Sequence, residues 1–419
     1  MEIQETAKNK ILYLTSLLYF TCGFITATSY ILIPYLKKLF DLSYVAAVYV
    51  QFFFYIAAFI LSIPAARLVS RIGYKLGMII SLMTMGLGYL LFAIATHFES
   101  YSNFLIGFFV VSCGLTLLQV ALNTYVTILG NPAKASSRLS ILAALNALGA
   151  TCAAPITSFF ILKNSISVNQ NVTQMPYLGL SLLLMLLLFV TFVFKFPKPL
   201  DTNLNKIKIP ILTESNKSIW QFRHLWLGAL AYFAYLGAEV SIASFLVSFI
   251  ASPHISNFSL LKAGAYVSFY WIGSMIGRLI GFFTLRKLKS NLQLSVHAAL
   301  AVILITVTLL SHGKIAMYCI LAVGLCNSIM FPTIYSLTLN GLGKYTETGG
   351  GILCTFSVGA AIIPLLQAVL ADRLNVHYSF FVPLCCYVYV LSFALFGHRL
   401  NYYQLRRNSH EETPISSRN

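Results

Sequence analysis

The chain has 419 residues, of which 58% are hydrophobic and only 9% charged. That ratio excludes a soluble globular domain and marks a polytopic membrane protein, because long apolar runs recur from end to end. The net charge of +17 comes from 28 lysines and arginines against 11 acids. The basic residues stand between the apolar runs, where they orient a protein in the lipid bilayer, so nucleic acid is not an expected partner.

In chain order, apolar runs near 11–36, 44–69, 77–97, 102–130, 139–162 and 176–195 predict six spans. Six more are predicted near 224–250, 260–285, 292–311, 315–340, 350–371 and 380–398. Each is close to the roughly 20 residues that a helical crossing needs. The N-terminal MEIQETAKNK has mixed charge and no small-residue cleavage site, which predicts no removable signal peptide. Pro197–Gln221 is the longest polar interval and divides the spans six and six. The expected layout is an N-terminal bundle over 1–196, a cytoplasmic linker over 197–222, a C-terminal bundle over 223–400 and a cytoplasmic tail over 401–419.

Counting loops from these spans puts 22 of the 28 basic residues, Arg278 among them, on the side of the termini and 6 on the other. Basic loops stay in the cytoplasm, so both termini are expected inside, in a multi-pass protein of the inner or plasma membrane. Two basic stretches echo each other, Ala65–Lys75 after the second span and Ile276–Lys289 after the eighth. Matching Arg67 to Arg278 gives an offset of 211 residues, about half the chain. Two related halves with a site between them is a recurrent transporter plan.

Within the seventh span, LAYFAYLGAEVSIASFLVSF, stands one carboxylate, Glu239; the other acids fall in loops, span ends or tails. An ionisable group at that depth is costly and marks a functional site by default. A structural acid tied to a neighbouring helix is the competing reading. Six amides also fall within spans: Gln51, Gln119, Asn123, Asn146, Asn327 and Gln367. An amide offers an acceptor and two donors, which suits a ligand rich in hydroxyls. Gln119 and Asn123 are four apart and share a helical face. Tyr270 and Trp271 offer rings on which a sugar can stack. Interhelical hydrogen bonding is the alternative role for any one amide. Gly273–Gly277 forms a GxxxG pattern, expected to permit close packing within the fold, and the protein is expected to act as a monomer. The eight cysteines lie in apolar runs with no CxxC pair, so neither a metal site nor a cofactor is expected.

The segment Ser70–Lys75 resembles, in degenerate form, the loop after the second helix of major facilitator transporters; Ala66 and Ser70 stand where that motif has glycine and aspartate. GFITATSYILIPYLKKLF (Gly23–Phe40), CGLTLLQVALNTYVTILG (Cys113–Gly130), YLGAEVSIASFLVSF (Tyr235–Phe249), YWIGSMIGRLIG (Tyr270–Gly281), NSIMFPTIYSL (Asn327–Leu337), GLGKYTETGGGILC (Gly341–Cys354) and AIIPLLQAVLADR (Ala361–Arg373) are more specific. They resemble the fucose–galactose–glucose:proton symporter family, its glucose/galactose branch above all, over nearly the whole chain. The resemblance implies an all-α membrane protein of about twelve transmembrane helices, in two pseudo-symmetric six-helix bundles, that takes up a monosaccharide with a proton. Asn146 lies in a stretch similar to the family's fifth helix. The fucose branch has an acid in the fourth helix where this chain has Gln119, as the glucose/galactose branch commonly does. It also has an acid in the first helix, where this chain has Tyr30.

These readings converge on a transporter for a glucose-, galactose- or fucose-like sugar, with Glu239 as the proton carrier. Burial in low dielectric favours the neutral form of a carboxyl, so such a group can cycle between charged and neutral. An uncoupled facilitator is the alternative, because the first-helix acid is Tyr30; sodium is the alternative coupling ion. An enzyme would need a nucleophile–base pair or a metal cluster at membrane depth, and the spans supply one acid. A membrane-embedded sugar sensor would need an output domain, for which the tail after Arg399 is too short.

Overall fold

The structure is a computed structural model that describes residues 2–98, 100–128, 135–162, 170–194, 219–284, 289–342 and 345–397. Among the described residues it is helical without a strand. The first half contains α1 (Glu2–Leu39), α2 (Tyr44–Ile72), α3 (Tyr74–His97), α4 (Tyr101–Ile128), α5 (Ala135–Thr157) and α6 (Gln170–Val193). The second contains α7 (Arg223–Ala251), α8 (Leu260–Thr284), α9 (Ser290–Leu310), α10 (Gly313–Asn327), α11 (Met330–Leu339), α12 (Thr346–Phe356), α13 (Gly359–Arg373), α14 (Val376–Ser379) and α15 (Phe381–Leu395). Of the expected linker only 219–222 is described, and the tail over 401–419 lies outside the described residues.

Among the described residues ten stretches are long and apolar enough to cross a membrane, and the pair α10–α11 makes eleven if counted as one span. At 25 residues α8 has the length of a span, and it is less uniformly apolar because it carries Lys262, Ser268, Ser274 and Arg278. Two expected spans are interrupted. The one near 315–340 bends by 40° between α10 and α11. The one near 350–371 breaks at Ser357–Val358; the last, expected near 380–398, is the single helix α15, with the short α14 just before it. Such breaks free backbone polar groups, which are tolerated at membrane depth only where protein or a polar cavity satisfies them.

Packing divides the molecule into two bundles. The α1 helix packs on α5, α3 on α4 and α6, and α2 on α4; in the other bundle α7 packs on α13 and α15, α8 on α10, and α9 on α10 and α15. Both bundles use the same close crossing. A Cβ on Gly149 of α5 would stand 2.0 Å from the Phe20 carbonyl oxygen of α1. A Cβ on Gly359 of α13 would stand 2.2 Å from the Phe233 carbonyl oxygen of α7. Only glycine lets the backbones approach this closely, and the paired positions lie near the 211-residue offset seen in the sequence. The GxxxG glycines of α8 serve packing of the same kind, since a Cβ on Gly277 would meet the Leu325 carbonyl of α10 at 2.7 Å.

Between the bundles, α5 meets α8, α2 meets α13, and α1 meets α7. At the end bearing the α1–α2 and α13–α14 turns, both carboxylate oxygens of Asp372 accept from the N-terminus of α2, from Tyr44 N at 2.7 Å and Val45 N at 2.9 Å. Those N–H groups have no partner within their own helix, and the positive end of the helix dipole favours a carboxylate there.

Candidate functional site at the junction of the bundles

Glu239 sits midway along α7 and is partly exposed, unlike the buried Ala238 and Val240 on either side. One turn earlier on the same face is Tyr235, whose hydroxyl lies 2.9 Å from Glu239 Oε2 and 3.2 Å from the Asn327 carbonyl oxygen. That carbonyl is available because α10 ends at Asn327. The hydroxyl has one hydrogen, so carboxylate and carbonyl compete for it. The Asn327 side chain is buried and engaged at both ends: its Nδ2 donates to the Tyr270 hydroxyl at 2.8 Å, and its Oδ1 accepts from the Tyr387 hydroxyl at 2.6 Å. The α8–α10 crossing holds this register, for a Cβ on Gly324 would lie 2.1 Å from the Tyr270 carbonyl oxygen.

The first bundle closes over this group through aromatic rings. Tyr30 of α1 stacks on Trp271 of α8, with centroids 5.9 Å apart and planes 17° from parallel. The Tyr30 and Tyr55 hydroxyls are 2.6 Å apart, which ties α1 to α2. Glu239 is close enough for its charge to act on Tyr30 and Tyr55 as well as on Tyr232, Tyr270 and Tyr387. Tyr235 is thus the phenol bonded to the carboxylate, and phenols of both bundles lie within reach of its charge. Arg278 completes the set. The loop count assigned it to the basic side, but it lies inside α8, where its Nη1 donates to the Ala143 carbonyl of α5 at 3.0 Å. Its charge also acts on Glu239.

The first bundle contributes neutral groups. Gln119 and Asn123 are both exposed on one face of α4, and Asn123 Oδ1 accepts from the Tyr19 hydroxyl of α1. That bond turns the face toward α1. Asn146 Nδ2 donates to the Tyr19 carbonyl at 3.2 Å, which brings α5 to the same place. The other two amides serve contacts between helices and are fully buried. Gln51 Nε2 donates to Ser29 Oγ at 3.3 Å. Gln367 accepts from Ser241 Oγ and donates to Ser379 Oγ at 3.0 Å.

The structure thus gathers Glu239, Tyr270, Trp271, Asn327 and Tyr30 into one cluster, and Gln119, Asn123 and Asn146 into another on the first bundle. Gln51 and Gln367 stay inside the bundles. Residues that the sequence reading did not assign to the site are Tyr19, Tyr55, Tyr235, Tyr387 and Arg278. Tyr235 was legible as the i−4 neighbour of Glu239, and Arg278 as a cation several residues inside a span. Nothing local in the sequence points to Tyr387.

Two helical bundles that meet around a polar, partly accessible centre at membrane depth define a transport protein rather than an enzyme. Residues 15–355 match the Major Facilitator Superfamily. The chain belongs to that superfamily. It is 43% identical over 402 residues to the glucose/galactose transporter of Brucella abortus biovar 1 (strain 9-941), covering 94% of this chain and 96% of that one. It is 26% identical over 389 residues to the L-fucose-proton symporter of Escherichia coli (strain K12), covering 87% of this chain and 88% of that one. Among solved structures it resembles FucP in the outward conformation, with a TM-score of 0.67 at 25% identity, covering 93% of this chain and 99% of that one.

Proposed function

We propose that the protein carries a neutral monosaccharide of the glucose or galactose kind across the cell membrane by alternating access, together with a proton borne by Glu239. The relatives' names support the sugar: one is a glucose/galactose transporter and another an L-fucose-proton symporter. The basic-residue asymmetry supports cytoplasmic termini and a cytoplasmic linker over 197–222 between the bundles 1–196 and 223–400. The end held by Asp372 is then the outer one.

The observation that carries the proton reading is the Glu239–Tyr235–Asn327 arrangement. Ionised, Glu239 takes the Tyr235 hydrogen and leaves the Asn327 carbonyl to be satisfied by another donor. A sugar hydroxyl is such a donor. Protonated, Glu239 can donate to the Tyr235 oxygen, and Tyr235 then donates to the carbonyl. The neutral chain is self-satisfied, and the bundles can rock around it at little electrostatic cost. Moving the bare carboxylate through the closed intermediate exposes an uncompensated charge, which costs about 2.5–3.5 kcal/mol even on the lenient insertion scales. That difference links proton and sugar flux. Gln119, Asn123 and Asn146 supply hydrogen bonds to the sugar from the first bundle, and Trp271 with Tyr270 limits it from the second. The buried Gln51 and Gln367 hold the frame.

The test is tracer accumulation in proteoliposomes. The unmutated protein should concentrate galactose or glucose on an imposed pH step and not on a sodium step. Glu239→Gln, a neutral mimic, should lose accumulation and retain sugar exchange. Accumulation by Glu239→Gln would remove the proton role from this residue. The phenol of Tyr30 at the family's acid position favours a second reading, an uncoupled facilitator. Exchange without accumulation in the unmutated protein would establish it.

A further inference from the structure

Arg278 is the charged group at the junction that this reading leaves without a task. It is half-buried inside α8, and its one described hydrogen bond leaves its own bundle to reach the Ala143 carbonyl of α5. A guanidinium has five donors, so a single carbonyl leaves most of them to be satisfied elsewhere. A cation this far inside a span is expensive unless it meets an opposite charge or a cavity. The titratable groups within reach of the Glu239 charge are Tyr30 from α1, Tyr55 from α2, Tyr232 and the hydrogen-bonded Tyr235 from α7, Tyr270 from α8 and Tyr387 from α15, with Arg278 as the cation among the described residues. The phenols are neutral at physiological pH in any ordinary setting. The electrostatic force on Arg278 from this cluster therefore changes when Glu239 gains or loses its proton.

We propose that Arg278 is a positioning residue that converts the charge state of Glu239 into the strength of contact between α5 and α8. This rests on Glu239 as the titrating group of the proposed function. With Glu239 neutral, the guanidinium is free to hold the Ala143 carbonyl and bind the bundles together along that edge. With Glu239 ionised, opposite charges draw the guanidinium back into its own bundle, because a carboxylate adds the attraction of its negative charge, which a neutral carbonyl lacks. The α5–α8 contact then loosens. The proton on Glu239 thus closes this edge, and its departure opens it, with no covalent step required.

The experiment measures the α5–α8 distance by electron spin resonance, with labels on the exposed Ile141 of α5 and Leu279 of α8. The accessible native cysteines are replaced by serine, and the full chain is reconstituted in liposomes without sugar. The unmutated sequence should show the distance lengthening as pH rises. Without sugar, Glu239→Gln should favour the short distance to the same extent at every pH. Arg278→Gln should abolish the pH dependence, and Arg278→Lys, which keeps a cation without the planar fork, should restore a reduced one. A purely structural Arg278 would change stability and leave the pH profile in place. A full pH shift in Arg278→Gln, no shift in the unmutated protein, or an undiminished shift in Glu239→Gln each overturns the proposal. Should Arg278→Gln fail to fold, the Glu239→Gln measurement still decides it. Tracer accumulation by Glu239→Gln is a separate readout, so the proton-carrier reading can fail there while the distance measurement stands or falls alone.

Discussion

The two bundles share a frame and differ in their chemistry. Each crosses its first and fifth spanning elements at a glycine, Gly149 against Phe20 and Gly359 against Phe233, with almost equal clearance. Inside that common frame the first bundle offers amides and a phenol, Asn123, Asn146 and Tyr19. The second offers Glu239 and Arg278 with Tyr235 and Asn327. Where the resembling family has an acid on the first helix, this chain has Tyr30, which bonds Tyr55 and stacks on Trp271. The comparison teaches that duplicated packing does not require duplicated charge. One bundle can grip a neutral solute while the other reports its presence to an ion.

The largest expected effect tests the shared frame. Gly149→Leu and Gly359→Leu each put a side chain onto a backbone oxygen about 2 Å away, where neither partner can yield. Each should cost at least about 3 kcal/mol, the upper part of the usual range for overpacking. Thermal unfolding in detergent should fall by similar amounts in the two variants. A large loss at one position and none at the other would break the symmetry of the frame.

A smaller effect sharpens the difference in chemistry. Asn123→Ala removes the acceptor of the Tyr19 hydroxyl and an exposed amide from the α4 face. Water can replace part of what is lost, so sugar affinity should weaken by about two- to tenfold, the worth of one ordinary hydrogen bond. The pH dependence of transport should not move, because no titrating group is touched. Binding by isothermal calorimetry and uptake against pH separate the two. A changed pH profile would show that the first bundle takes part in coupling.

The smallest effect lies at the outer contact. Asp372→Asn keeps one acceptor and removes the charge from the α2 N-terminus. An exposed carboxylate at a helix N-terminus contributes about 0.3–1 kcal/mol, so the balance between open and closed outer ends should shift by about two- to fivefold. Labels on the exposed Leu39 and Leu374 would report it as a change in the population of the longer distance. No change in population would mean that Asp372 does not hold the bundles together.

Much of this architecture was legible in the chain, for a physical reason. Lipid forces spanning segments into long apolar helices, so span number, order and the division into halves are written as hydropathy. The breaks at Ser328–Ile329 and Ser357–Val358 were not legible, because those segments stay apolar through the bend. Glu239 stood out because a carboxylate is rare at such depth. The amides were ambiguous for the opposite reason. Gln119 and Gln367 look alike in sequence, yet one is exposed on α4 and the other is buried between Ser241 and Ser379. The partner of Arg278 was not legible, because counting by loops gives a cation a side and no partner, and a long side chain at that position can cross to another helix.

In the proposed mechanism a single carboxylate, Glu239 on the second bundle, carries the proton that moves with the sugar. The most direct test is proton movement itself. Galactose or glucose added to de-energised proteoliposomes in weak buffer should alkalinise the outside, in step with sugar entry, for the unmutated protein. The same addition to Glu239→Gln should give sugar exchange and no pH change. Alkalinisation that persists in Glu239→Gln would contradict the claim and place the proton on another group.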